Sequence, residues 1–394
     1  MRGFFKLVLA NLTAIFILSA GFFIFFIGFL IISSISEGVD VKQDSVLTLD
    51  LKTRIIDSPS EDQEDIFAFN KEKETAVLLY DVLQAIGNAK TDNKIKGISL
   101  EIDNFQAGMT QMDDIRNALI DFKKSGKFVY AYGNTVSQGA YYLGSVADKY
   151  YLNPAGLIEL KGLSTEVTFF KNFAEKYGIG IQVIRHGKFK AAVEPFLRDD
   201  ISPENKEQLS TLLDDIWANT SKKIADSRKI SLPELKMITD SLYSYLPNLS
   251  LKYKLADQLI QKSEYDNIIR KKLNIDADKK INKISFAKYS ESLESENDGK
   301  KIAVLYASGA IYNGKGYDGI YAENFVKEIK KIQKDDDIKA VVFRINSPGG
   351  SANASDEILF EMQQLKRKKP VIVSFGDYAA SGGYYIAMGA DKIF

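Results

Sequence analysis

The sequence predicts an α/β fold, laid down twice in tandem behind an N-terminal apolar helix. Three observations predict it. First, Val136-Ser137-Gln138-Gly139-Ala140-Tyr141-Tyr142 returns near the C-terminus as Ala379-Ala380-Ser381-Gly382-Gly383-Tyr384-Tyr385. The offset between Gln138 and Ser381, 243 residues, holds without a gap from Ile95/Ile338 to Tyr151/Phe394. It pairs Gly133 with Gly376, Gly139 with Gly382 and Asp148-Lys149 with Asp391-Lys392. Second, apolar runs alternate with helical spacings in both copies, the rhythm of strands joined by helices. Third, Leu7–Ile32 is 26 residues without a charge. A repeated scaffold needs its glycines and core residues twice, but chemistry can reside in one copy, and only the second has serine at the turn.

The elements follow in order. As a helix, Leu7–Ile32 spans about 39 Å at roughly 1.5 Å per residue, enough to cross a bilayer with tilt. Arg2 and Lys6 precede it and Glu37 and Asp40 follow, which keeps the N-terminus in the cytoplasm and exports the rest. A cleaved signal peptide has an apolar region of about 7–15 residues, so residues 1–36 read as a retained anchor. Ser45–Leu51 alternates like a first strand, and Glu61–Glu74 is a charged loop. Ile95–Ile102 is a buried strand, Asp113–Lys123 a helix with Ile115, Leu119 and Phe122 on one face, and Phe128–Tyr132 a strand ended by Gly133. A helix follows from Gly139 to Val146. Thr165–Tyr177 has helical spacing closed by Gly178, and Ile181–Ile184 reads as a short strand. Ser202-Pro203 opens a helix with proline at its first position, and Leu209, Leu212, Leu213, Ile216, Trp217 and Ile224 lie on its apolar side. Leu232–Leu246 is a second helical segment. These elements make a first domain of residues 45–289. Residues 290–300, polar and acidic, read as a linker. The second domain, 301–394, has strands at 302–306, 340–345 and 371–375, a helix at 354–365 and the turn at Ser381. The first copy continues far past Tyr151, so the second copy, which stops at Phe394, is expected to be incomplete, with an exposed edge after Asp391.

Composition removes several kinds of chemistry. Lysine plus arginine equals aspartate plus glutamate, 52 each, so no net charge draws the chain to nucleic acid. The absence of cysteine excludes disulfides and thiol nucleophiles, and a single histidine, His186, argues against a histidine metal site.

The candidate chemistry lies in the second copy. Ser381 stands between the strand ending at Phe375 and a helix beginning at Gly382-Gly383. Such a turn exposes the hydroxyl, and the amides of the helix N-terminus can receive an oxyanion. The bland reading of Ser-Gly-Gly is a cap and turn. Asn346-Ser347-Pro348-Gly349-Gly350-Ser351 follows the strand ending at Ile345, and its counterpart, Asp103-Asn104-Phe105-Gln106-Ala107-Gly108, lacks the double glycine. An amide from Gly349 or Gly350, with one from Gly382, can make a two-donor oxyanion hole. Ser347 and Ser351 read as turn residues, since neither heads a helix as Ser381 does. A serine nucleophile needs a base. His186, Lys188 and Lys190 lie in one segment. Lys190 precedes Ala191-Ala192-Val193, apolar surroundings that would lower its pKa and supply a neutral amine, although a lone lysine is ordinarily a solvated charge.

Lys190-Ala191-Ala192-Val193-Glu194-Pro195-Phe196, the Asn346–Ser351 loop and Ala380-Ser381-Gly382-Gly383-Tyr384, in that order, resemble the signal peptide peptidase A (protease IV) family in its long, duplicated, membrane-anchored form. The resemblance implies crotonase/ClpP-like domains. It also implies a serine endopeptidase with a Ser/Lys dyad, Ser381 the nucleophile and Lys190 the general base, that degrades cleaved signal peptides and other hydrophobic peptides without a cofactor. A homo-oligomer anchored by Leu7–Ile32 in the bacterial inner membrane, with its catalytic domains periplasmic, goes with it. Lys188 and His186 fall outside the matched positions and read as bystanders. Two alternatives stand beside it: a membrane-anchored scaffold that cleaves nothing, and a crotonase-like acyl-CoA enzyme, which the exported location disfavours.

Overall fold

The computed structural model describes residues 2–34, 39–50, 53–58, 75–184, 187–293 and 299–394. The expected loop at Glu61–Glu74, His186 and linker residues 294–298 lie outside the described residues.

Helix α1, Arg2–Ser34, is continuous over 33 residues. Phe16, Leu18, Phe22 and Phe25 on it are exposed. Among the described residues no helix is long and apolar enough to cross a membrane, and side chains at 2, 5, 7–9, 12, 24 and 27–34 of α1 lie outside that description.

The apolar runs become parallel strands. Before residue 160 the order is β1 (Ser45–Asp50), β2 (Thr53–Ile56), β3 (Thr75–Leu78), α2 (Leu79–Ala89), β4 (Ile95–Glu101), α3 (Met109–Lys123), β5 (Phe128–Val136), α4 (Gln138–Gly144) and β6 (Lys149–Ile158). Then come α5 (Lys171–Lys176), α6 (Glu194–Leu197), α7 (Pro203–Arg228), α8 (Leu232–Asp240), α9 (Pro247–Lys252), β7 (Gln258–Leu259), α10 (Lys262–Leu273), β8 (Lys283–Ser285) and α11 (Phe286–Glu291). The first sheet runs β7-β6-β5-β4-β1-β8, every pair parallel. Leu47, Leu49, Ile98, Leu100 and Val129 pack on one side against Ile86 of α2 and Ile115 and Leu119 of α3. Tyr132 and Tyr151 pack with Tyr265 and Ile269 of α10 in a second cluster. Each such aliphatic residue stabilises the fold by about 1.5–3 kcal/mol on full burial.

The second unit is β9 (Lys301–Ser308), β10 (Ile311–Tyr312), β11 (Ile320–Tyr321), α12 (Ala322–Lys334), β12 (Ile338–Ser347), α13 (Ala352–Lys366), β13 (Val371–Ala379), α14 (Gly382–Ala387) and β14 (Lys392–Ile393). Its sheet runs β14-β13-β12-β9, again parallel. The bounds of α13 and β13 each lie 243 residues after those of α3 and β5.

Three expectations are corrected. Thr165–Phe170 is not helical, and only the six residues of α5 form a helix there. Ile181–Ile184 is not a strand. Phe170, Phe173, Tyr177, Ile181 and Ile184 are all exposed, so the apolar spacing has no core to pack on, and an isolated helix of that length is marginal. The helix expected to reach Leu246 ends at Asp240, where Leu242 takes a left-handed φ of 53°.

Candidate active site

The end of β13 delivers Ser381 in a rare backbone conformation, φ 51° and ψ −120°. A non-glycine residue there stores about 1–3 kcal/mol of strain, which persists only where the surroundings enforce it. Ala380 N donates to Ser347 O at 3.1 Å on one side, and Tyr385 N donates to Ser381 O at 2.9 Å on the other. Ser381 itself is exposed, and its side chain does not cap α14. The strand-to-helix turn therefore holds the hydroxyl outward, as a nucleophile elbow does.

The loop after β12 comes up against this turn. Gly349 takes φ 95°, and a β-carbon there would lie 2.6 Å from Gly382 N and 2.8 Å from Ser381 Cβ. Ile311 N donates to Gly349 O at 3.0 Å and Ser351 N to Ile311 O at 2.8 Å, which staples the loop to β10. The structure thus brings Ser381, Gly349, Gly350 and Gly382 together. It also separates the two loop amides. Gly349 N donates to Ser347 Oγ at 3.1 Å, whereas the amides of Gly350 and Gly382 donate to nothing among the described residues. A β-carbon at 382 would be 3.3 Å from Gly350 N, so those two amides are close neighbours.

The other serines are occupied. Ser347 is fully buried under its loop. Ser351 does head a helix, contrary to expectation: its Oγ accepts from Ala354 N at 3.3 Å as the N-cap of α13 and donates to Asn313 Oδ1 at 3.0 Å. Within α14, Tyr385 donates to Asp356 Oδ1 at 2.9 Å, and that bond raises its phenol above the usual range, so it stays a donor.

The first unit closes the matching turn. Gln138, at the offset of Ser381, donates to Gly162 O at 3.1 Å and accepts from Lys161 N and Gly162 N at 3.0 Å each. Ser137 caps α4. A carboxamide, not a hydroxyl, thus stands at the position of Ser381.

Among the described residues Lys190 and Ser381 share no hydrogen bond. Lys190 is exposed at the start of a single 3-10 turn, Ala191–Val193, none of which is buried. Within that turn Ala192 is exposed, and Ala191 and Val193 are half-buried. The segment itself is well fixed. Buried Glu194 accepts from Ser202 Oγ at 2.5 Å, Ser202 N at 3.3 Å and Asn205 Nδ2 at 3.2 Å. Phe170 N donates to Pro195 O at 2.6 Å, and Phe170 stacks on Phe196. Lys188 lies over the Phe189 ring, 5.2 Å from its centroid.

Two contacts between the units reach the strand ends of the site, and sequence reasoning missed both. Thr110 N and Oγ1 donate to Asp377 Oδ1 at 2.8 and 2.9 Å. Buried Arg344 pairs with buried Asp57, Nε to Oδ2 at 3.2 Å, and donates through Nη1 to Phe375 O at 2.7 Å. No local pattern marks partners 267 and 287 residues apart.

The profile of peptidase family S49 matches residues 121–276 and 363–394. Protease 4 of Salmonella typhi is 35% identical over 393 residues, which covers 94% of this chain and 63% of that protein. Protease 4 of Haemophilus influenzae is 36% identical over 332 residues, 80% of this chain and 53% of that protein. The chloroplastic serine protease SPPA of Arabidopsis thaliana is 33% identical over 367 residues, 90% and 52% respectively. The chain therefore spans between about half and 63% of the length of these relatives.

Proposed function

We propose that the chain is a member of peptidase family S49 and a membrane-anchored serine endopeptidase acting on signal peptides and other hydrophobic peptides, a reading supported by the family match and by the identity to Protease 4. The observation that carries the reading is Ser381, exposed at φ 51° beside the undonated amides of Gly350 and Gly382. In this reading Ser381 Oγ attacks a peptide carbonyl, and the Gly350 and Gly382 amides receive the oxyanion. Lys190 takes the serine proton as an uncharged amine and returns it to the leaving amine; water then releases the acyl-enzyme. Gly349 serves as the hinge of the oxyanion loop, not as a donor, because its amide is engaged by Ser347. Lys190 is exposed in the single chain, so substrate or a second copy supplies the desolvation that an amine base requires. No metal or organic cofactor enters these steps.

The remaining parts fit the same reading. Residues 45–289 and 301–394 are two copies of one crotonase/ClpP-like unit, supported by helices and strands that recur at one offset. Helix α1 is the anchor, with its N-terminus cytoplasmic, supported by 26 uncharged residues and by phenylalanines that face outward along it.

Incubation with a fluorophosphonate probe tests the nucleophile. The wild-type chain is expected to label at Ser381, S381A not at all, and K190A at least a hundredfold more slowly, with H186A unchanged. Equal labelling of S381A, or loss in H186A with K190A intact, would refute the dyad. A chain that never labels would favour the scaffold.

A further inference from the structure

We propose that Asp377 is a positioning residue through which the first unit holds the turn at Ser381 in its reactive shape. The proposal rests on the reading of Ser381 as nucleophile. Asp377 lies on β13, four residues before Ser381. Its Oδ1 accepts both donors of Thr110, in the first turn of α3 in the other unit, where an anionic group is favoured. The next residue along, Tyr378, donates its N–H to Asn346 Oδ1 at 3.0 Å, and Ala380 N donates to Ser347 O at 3.1 Å. Ser347 Oγ in turn accepts from Gly349 N. The α3 bonds therefore anchor the backbone at Asp377, and the next residues of that same backbone, Tyr378 and Ala380, bond to the loop that forms the other wall of the site.

Two further observations single out this residue. Gly108, the N-cap of α3, has φ −66° and ψ 160°, a backbone any residue adopts, yet a β-carbon there would collide with the Asp377 carboxylate. The glycine at that helix end makes room for Asp377. In the first unit, the residue at the same offset is Asn134, which bonds within its own unit to Asp103. Only the copy carrying the serine turns this side chain outward to a neighbouring unit. The strained φ of Ser381 needs an enforcing surround, and Asp377 supplies the part of it that depends on the two units being docked.

The test uses the whole chain and does not depend on turnover. Amide hydrogen exchange is measured for wild type, D377A, G108A, the D377A/G108A pair and D377N. D377A removes the acceptor, whereas G108A evicts it from the opposite side and leaves the sequence of the second unit unchanged. Both are expected to speed exchange at Tyr378 and Ala380 about tenfold and leave residues 371–375 unchanged. The pair should be no faster than either single variant, since both break one interaction. D377N, which keeps the acceptor oxygen, should stay within twofold of wild type. Fluorophosphonate labelling of Ser381 should slow in parallel, again about tenfold. Wild-type exchange at 378 and 380 in D377A and G108A overturns the proposal, and so do additive effects, loosening of all of β13, or D377N behaving as D377A. If the wild type never labels, the peptidase reading fails, and the exchange rates alone decide the role of Asp377.

Discussion

A β-carbon at position 349 would lie 2.6 Å from the Gly382 amide nitrogen and 2.8 Å from Ala380 O, both backbone atoms that cannot swing away. The residue also takes φ 95°, a left-handed value that strains any side chain. G349A is therefore expected to cost at least about 1–3 kcal/mol locally and to open the loop from the serine turn. Fluorophosphonate labelling should fall more than a hundredfold while the first unit melts as before; a G349A chain that labels at the wild-type rate would show that the close approach is dispensable. Much of this was legible in the sequence because it is local. Ser381 before two glycines, and Pro348-Gly349-Gly350 after an apolar strand, announce tight turns by composition. Which of the two loop amides is spent was not legible, because it depends on where the Ser347 hydroxyl points. The exposure of Lys190 was equally hidden, since Ala191-Ala192-Val193 looks apolar in either direction it faces.

At the scale of elements, helices α6 and α7 meet at one buried carboxylate. Glu194 receives three donors from Ser202 and Asn205 at the N-terminus of α7, where the helix dipole adds to the attraction. The 3-10 turn that follows Lys190 runs directly into Glu194, so this contact fixes where the lysine begins. E194A leaves buried donors without that acceptor and is expected to cost about 2–3 kcal/mol. E194Q, with one oxygen retained, should lose less. Calorimetry gives the cost, and exchange at residues 190–205 should quicken in E194A; a melting curve unchanged in E194A would mean the carboxylate is not holding the turn. The opening of α7 was readable from Ser202-Pro203, a local cap signal. Segment 165–184 was misread because helical spacing was taken as packing. Phe170 and Phe173 repeat at a helical interval, yet both stay exposed, and without a partner face the pattern yields only the short α5.

Across the molecule, the two units are joined by charge buried between them. Arg344 bridges Asp57 of the first unit to Ser374 and Phe375 of the second, and Asp114 of α3 lies in the same field. Burial raises the Asp114 carboxyl above its usual range, against the pull of Arg344 and with the push of Asp113 and Asp57. The sign of the pH dependence follows. A carboxyl with a raised folded pKa favours the folded state below its unfolded pKa, and that contribution is lost as pH climbs through the raised value. Arg344 limits the loss by attracting the ionised form. R344M removes that attraction and leaves buried Asp57 without this cation, a change expected to cost about 3–5 kcal/mol. The penalty should be larger at pH 8 than at pH 4, because the raised Asp114 carboxyl holds its proton more at the lower pH. Calorimetric unfolding of wild type and R344M across that range measures it. A pH-independent difference would assign the loss to packing of the arginine stem. A difference below about 1 kcal/mol would mean that the buried pair contributes little to the docking of the two units.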